Sequence, residues 1–192
     1  MQHTGIDSDG VTSSPRPRLL VAYETAHGST RGVAQEIGRR LSAAGLSVEV
    51  RPVAEVDRLE PYDAVVLGSA IQDGHWLPGA AAFATNRAGE LAARATWLFS
   101  VSSLGETTSF FGPRLARFLR GLRKDGSQLA SLRQTTRARG HRHFAGSVEP
   151  KHWNWVGRGF IRLSRGRYGD HRDWADIAAW ADDIGRDVLA SR

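Results

Sequence analysis

The sequence predicts an α/β protein built on a doubly wound parallel sheet, and three observations carry that expectation. Short apolar runs alternate along the chain with longer stretches of helical spacing. The run Ala64-Val65-Val66-Leu67-Gly68 is continuously apolar, as suits a parallel strand buried on both faces. A loop dense in hydroxyls joins the first run directly to the first amphipathic helix, and such sheets hold their ligand at the carboxyl ends of the strands.

The first strand is Leu19 to Tyr23, and the helix after it is marked by Val33, Ile37, Leu41 and Ala44 at helical spacing. Ser47-Val48-Glu49-Val50 is the second strand and Ala64 to Gly68 the third. Residues Pro78 to Ala93 are alanine-rich and read as one helix, with Pro78 acceptable in its first turn. Thr96 to Val101 is the fourth strand. Pro113 to Leu122 forms a helix with Leu115, Phe118, Leu119 and Leu122 on one face. His143 to Val148 is a weaker fifth strand. The last helix carries the stripe Trp174, Ile177, Ala178, Ala181, Ile184 and Val188, with Asp170 and Asp173 favouring its N-terminus.

The loop Thr25-Ala26-His27-Gly28-Ser29-Thr30 lies between strand and helix. A helix start offers unpaired N–H groups and a positive dipole end, which together bind an anion. Thr25, Ser29 and Thr30 add hydroxyl donors, and Gly28 lets the backbone curl without a Cβ clash. A nucleoside triphosphate loop needs Gly-Lys-Ser/Thr, and no lysine is present here. The dinucleotide pattern needs more glycines than Gly28 and Gly32, and a hydrolase elbow needs a glycine where His27 stands. Neutral donors for a monophosphate dianion such as that of FMN remain. An ordinary Ser/Thr-capped helix fits the same residues.

Composition bounds the class. The 192 residues suit one domain, residues 18 to 192, behind a polar leader over residues 1 to 17. Without cysteine there is no disulfide, no thiolate nucleophile and no Cys-ligated metal, and no metal site is expected. No apolar run spans a bilayer and no signal peptide is evident, so the expected location is cytoplasmic. The formal net charge is +6, carried almost wholly by arginine, with Lys124 and Lys151 the only lysines. No nucleic-acid motif accompanies that charge, so no nucleic-acid partner is expected.

Two more loops converge on the same strand ends. Ser69-Ala70-Ile71-Gln72-Asp73-Gly74-His75-Trp76 follows the third strand, and Ser102-Ser103-Leu104-Gly105-Glu106-Thr107 follows the fourth. A flavin ring needs flat apolar cover and donors for its pyrimidine oxygens. Trp76 can stack, backbone amides from Ile71 to Gly74 can donate, and Gly105 allows close backbone approach. His75 is the candidate for redox tuning or substrate contact. Taken singly, each of these residues reads better as ordinary core or loop; together the three loops favour a flavin.

These loops resemble the flavodoxin-like fold. Thr25-Ala26-His27-Gly28-Ser29-Thr30 is similar to the Thr-x-Thr-Gly-x-Thr phosphate signature, with His27 a departure. Gly68-Ser69-Ala70-Ile71-Gln72-Asp73-Gly74-His75 is similar to a Gly-Ala-Ser-Ile-x-x-Gly-His stretch of the menaquinone-dependent protoporphyrinogen dehydrogenases. Phe99-Ser100-Val101 and Asp173-Trp174 also fit, so the likeness runs from about residue 18 to 188. It implies a five-stranded sheet of order 2-1-3-4-5 with helices on both faces, and FMN as cofactor. It also implies oxidation of protoporphyrinogen IX with a quinone as acceptor. The alternative is an FMN electron carrier, with a redox protein as partner and no organic substrate of its own. The net charge of +6 argues against that role, since small carriers of this fold dock through acidic surfaces.

The stretch Trp153 to Arg167 bears on the choice. Trp153, Val156, Phe160 and Leu163 share one helical face, and Arg158, Arg162 and Arg165 another. Such a basic amphipathic helix suits peripheral contact with the inner face of a membrane, where a quinone is reached. A core-packed helix with a solvated arginine face satisfies the same pattern.

Overall fold

The computed structural model describes residues 16–110, 113–122, 126–148 and 169–191. Five parallel strands form the sheet: β1 (Arg18–Glu24), β2 (Ser47–Pro52), β3 (Ala64–Gln72), β5 (Ala95–Ser102) and β6 (Gly140–Ala145). Their order is β2-β1-β3-β5-β6, which is 2-1-3-4-5 once the two-residue return strand β4 (His75–Trp76) is left out. Strand β4 pairs antiparallel with the end of β3, Ile71 opposite Trp76.

Alternation along each strand divides the core in two. Leu19 and Val21 of β1, Val66 of β3 and Phe99 of β5 face α1 (Ser29–Ala43) and the last helix, α6 (Trp174–Ala190). Leu20 and Ala22 of β1, Leu67 of β3 and Leu98 of β5 face α2 (Pro78–Asn86), α3 (Ala88–Ala92) and α5 (Ser127–Thr135). A one-residue shift along a strand therefore changes layer, as the period of two requires. Trp180 of α6 meets Phe99 and Phe144 edge to face, and the two phenylalanine rings tilt against each other, with centroids 5.6 to 6.3 Å apart. Gly68 makes room for this cluster: a Cβ there would lie 2.0 Å from the Phe99 ring.

Several expectations change in detail. The helix expected over Pro78 to Ala93 is two helices, broken at Arg87, whose guanidinium donates to the carbonyls of Val56 and Asp57. The fifth strand is Gly140–Ala145 rather than His143 to Val148, because the chain leaves the sheet at Gly146. Ser147–Val148 forms β7, which pairs with β8 (Gly169–Asp170). In α4 (Pro113–Leu122), Ala116 is buried and Phe118 is 62% exposed, so the apolar face of that helix is only partly covered. Asp170 belongs to β8 and pairs with Arg172 instead of capping the last helix.

Asp173 is the N-cap of α6 and its carboxylate accepts the Asp176 N–H at 3.0 Å. That bond, with a second from Thr107, holds its acid dissociation below the ordinary value of 3.8. The stabilisation is fully present above that value and is lost as pH falls through the lower folded one. Asp173→Ala is expected to cost about 1 kcal/mol at neutral pH. The gap to wild type should close as both are acidified below pH 3.8, measured by urea unfolding.

Candidate functional site

The carboxyl ends of β1, β3, β5 and β6 border a cleft of about 320 Å³. At its first wall the chain leaves β1, and Gly28 takes φ +95°, a left-handed conformation that glycine adopts without strain. The Gly28 N–H donates to Thr25 Oγ1 at 2.9 Å, closing the loop on itself. The first intrahelical bond of α1 runs from Gly32 N–H to the Gly28 carbonyl at 3.1 Å. The N–H groups of Ser29, Thr30 and Arg31 therefore stand at the helix start without an acceptor from the helix itself. No carboxylate occupies that first turn and no side chain caps it.

Thr30 supplies the most telling atom. Its residue is fully buried and its Oγ1 is the single buried side-chain oxygen or nitrogen, among the described residues, without a hydrogen-bond partner. Such an atom is costly unless a ligand completes it. Thr30 lines the cleft beside Thr25, Ala26, His27 and Ser29. No lysine or arginine lines it among the described residues, so a phosphate there is held by neutral donors and the helix dipole. The residues present fit the phosphate of FMN.

Ser29 acts differently from the sequence expectation. Its Oγ accepts the Ser147 N–H at 2.8 Å and lies 3.4 Å from the Ser147 carbonyl, tying the phosphate loop to the chain beyond β6. On the opposite side, Ala70 and Ile71 of β3 and the turn residues Asp73 and Gly74 form a wall. Both turn residues have positive φ, 50° and 80°, the signature of a two-residue hairpin turn. Val101, Ser102 and Ser103 after β5, with Gly146 and Ser147 after β6, complete the lining.

The remaining anticipated residues lie outside the lining. Gly28 shapes the loop without facing the cleft. Ser69 is buried, accepting the Leu77 N–H at 3.0 Å and donating to the Ala70 carbonyl. Gln72 and His75 are exposed opposite each other in the hairpin, and His75 Nδ1 lies 2.9 Å from the Asp73 carbonyl oxygen. Trp76 is the clearest departure: it is 3% exposed and packs in the core layer of α2 and α5. Its indole N–H donates to Ser100 Oγ at 2.8 Å, so its ring is committed to the interior rather than to a cofactor. Leu104 folds back on Ser102, whose Oγ accepts its N–H at 3.2 Å. Gly105 does permit close approach, but to the backbone of β6: a Cβ there would meet Ala145 N at 2.4 Å.

Val101, Gly146 and Ser147 line the cleft without a sequence expectation for them, and Asp73 is expected there only through its backbone amide. The Asp-Gly pair was a usable signal, since it is among the strongest short hairpin markers. Gly146 and Ser147 were hidden by the expectation that the fifth strand ran through them.

A family model described as a flavodoxin domain matches residues 20–174. Over 178 residues the chain is 23% identical to a protein of Escherichia coli (strain K12) named "Protoporphyrinogen IX dehydrogenase [quinone]", covering 87% of this chain and 94% of that one. The same protein from Escherichia coli O157:H7 gives the same figures. Among solved structures, a flavodoxin from the domain Archaea superposes with a TM-score of 0.55 at 15% identity, over 90% of this chain and 99% of that one. The rubredoxin oxygen:oxidoreductase of Desulfovibrio gigas superposes with a TM-score of 0.59 at 14% identity, over 91% of this chain. This chain spans only 37% of that larger protein, a likeness of fold alone.

Proposed function

This chain belongs to the flavodoxin domain family, and from that premise we propose that it is an FMN oxidoreductase that oxidises protoporphyrinogen IX and passes the electrons to a quinone. The observation that carries the cofactor half is Thr30 Oγ1, buried and unpartnered at the start of a helix whose first turn holds no carboxylate. The substrate half draws support from the name of the Escherichia coli relative, of which this chain covers 94%.

When bound, FMN supplies the electron acceptance, and the chain supplies binding, orientation and electrostatics. Thr30 and the N–H groups of the first turn of α1 hold the phosphate. Ser29, bonded to Ser147, fixes the phosphate wall relative to the end of β6. The Asp73-Gly74 turn and Ser102-Ser103 line the rest of the cleft and would hold the flavin ring. His75 stands on the exposed limb of the hairpin, so its proposed part is contact with a substrate or partner at the rim.

The proposed membrane contact rests on residues 153–167, which lie outside the described residues. No helix among the described residues is long and apolar enough to cross a membrane.

One assay separates the readings. Anaerobic protein loaded with FMN is mixed with protoporphyrinogen IX and a soluble quinone, and porphyrin fluorescence and quinone absorbance are followed. Porphyrin appearance that depends on both protein and quinone is the expected result. No rate above the spontaneous one, with the flavin spectrum intact, removes the substrate and leaves an electron carrier with a redox protein as partner. A protein that takes up no flavin removes both.

A further inference from the structure

A second opening lies on the other side of the phosphate loop, between the ends of β1 and β2 and helix α2, and encloses about 510 Å³. It is larger than the cofactor cleft and shares only Thr25 with it. Val53 and Phe83, 8% and 9% exposed, give it an apolar floor. Three polar side chains line it without any hydrogen bond or ion pair to the described residues: Tyr23, Arg31 and Asn86. The Tyr23 ring packs in the layer of α1, and its unpartnered hydroxyl keeps contact with solvent.

The other charged groups on the wall are already engaged. Arg87 lies over the Phe83 ring, 5.2 Å from its centroid, and donates to the Val56 and Asp57 carbonyls at 3.3 and 2.6 Å. The Glu24 carboxylate accepts the Ala80 N–H at the start of α2, where the helix dipole favours a negative charge. Arg31 is left as the uncommitted cation of the opening.

An apolar floor with one available guanidinium, one phenol and one carboxamide complements a flat ring carrying an acid group. We propose that this groove is a second small-molecule site, which takes a small aromatic carboxylate with its acid group on Arg31 and its ring against Val53 and Phe83. Tyr23 donates its hydroxyl to the same acid group, and Asn86 closes the mouth. Only Thr25 lines both openings, and Arg31 turns its side chain to the groove while its backbone N–H belongs to the first turn of α1.

The test titrates the FMN-loaded protein with benzoate and, separately, with benzamide, using saturation-transfer NMR. Saturable benzoate binding is expected, with the uncharged amide weaker by about tenfold, the cost of one charge-assisted contact. Arg31→Gln, which keeps the backbone N–H, should weaken benzoate by a similar factor. Asn86→Asp, at an exposed position that tolerates substitution, places a second carboxylate in the groove and should weaken benzoate as well. Absence of saturable benzoate binding at millimolar concentration overturns the proposal. So does equal affinity for acid and amide, or affinity unchanged in both variants. Benzoate that binds only when FMN is absent sits in the cofactor cleft, which also overturns it.

Discussion

Thr30→Val is expected to weaken FMN binding by about ten- to a hundredfold while leaving riboflavin affinity unchanged. The loss corresponds to ~1–3 kcal/mol, the range for a hydrogen bond from a buried hydroxyl to a charged acceptor. Riboflavin carries no phosphate, so it never used that bond. The substitution should act in the opposite direction on the cofactor-free protein. There, Thr30 Oγ1 is buried with no partner, and a methyl of the same shape removes that penalty. Unfolding in urea should show the cofactor-free variant more stable by on the order of 1 kcal/mol, even as fluorescence titration shows FMN bound more weakly. Opposite signs in the two measurements identify a ligand-directed hydroxyl. Loss of stability in the cofactor-free protein, or equal losses for FMN and riboflavin, would mean that the hydroxyl serves the fold. Ser29→Ala provides the contrast: its Oγ accepts the Ser147 N–H, so its removal should destabilise the cofactor-free protein.

Much of this architecture was legible because buried parallel strands leave continuous apolar runs. Leu19 to Tyr23, Ala64 to Gly68 and Thr96 to Val101 could be placed from composition alone, and each lies within a strand. The edge strand was harder. Gly140, His141, Arg142 and His143 are polar because β6 has a neighbour on one side only, so no apolar run marks where it begins. Helix α5 escaped notice for a related reason: only Leu129 and Leu132 of its nine residues are buried, too few to set a period. Trp180 falls outside the helical stripe of Trp174, Ile177, Ala178, Ala181, Ile184 and Val188, although it anchors the aromatic cluster with Phe99 and Phe144. The phosphate loop was readable because its chemistry is local: a strand end, a glycine and hydroxyls at a helix start all lie within a few residues. The opposite wall was readable only in part: Ala70, Ile71, Gly74, Ser102 and Ser103 line the cleft while Gln72, His75 and Trp76 do not, because which side of a hairpin faces a cleft depends on packing partners far along the chain.

Trp76 shows what that dependence costs a sequence argument, and its replacement should have the larger effect on stability. An indole in a glycine-bearing loop at a strand end offers a flat surface, which is what a flavin ring needs. The turn at Asp73 and Gly74 reverses the chain after Gln72, and the two-residue strand that follows returns beside β3 with Trp76 opposite Ile71. That return carries the indole into the layer of Phe83 and Leu129, where its N–H meets Ser100 Oγ and its backbone N–H donates to Gln128 Oε1 at 2.8 Å. Trp76→Ala should therefore destabilise the protein by ~3–5 kcal/mol, the cost of emptying a core site of that size. It also leaves Ser100 Oγ without its indole donor. Trp76→Phe keeps most of the volume and loses one hydrogen bond, so about 1–2 kcal/mol is expected. Thermal and urea unfolding measure both losses. The decisive comparison is flavin fluorescence in the Trp76→Phe protein, which stays folded: quenching and FMN affinity close to wild type place the ring away from Trp76. A marked gain in flavin fluorescence, with stability preserved, would instead mean that the indole reaches the cofactor and that the hairpin moves when FMN binds.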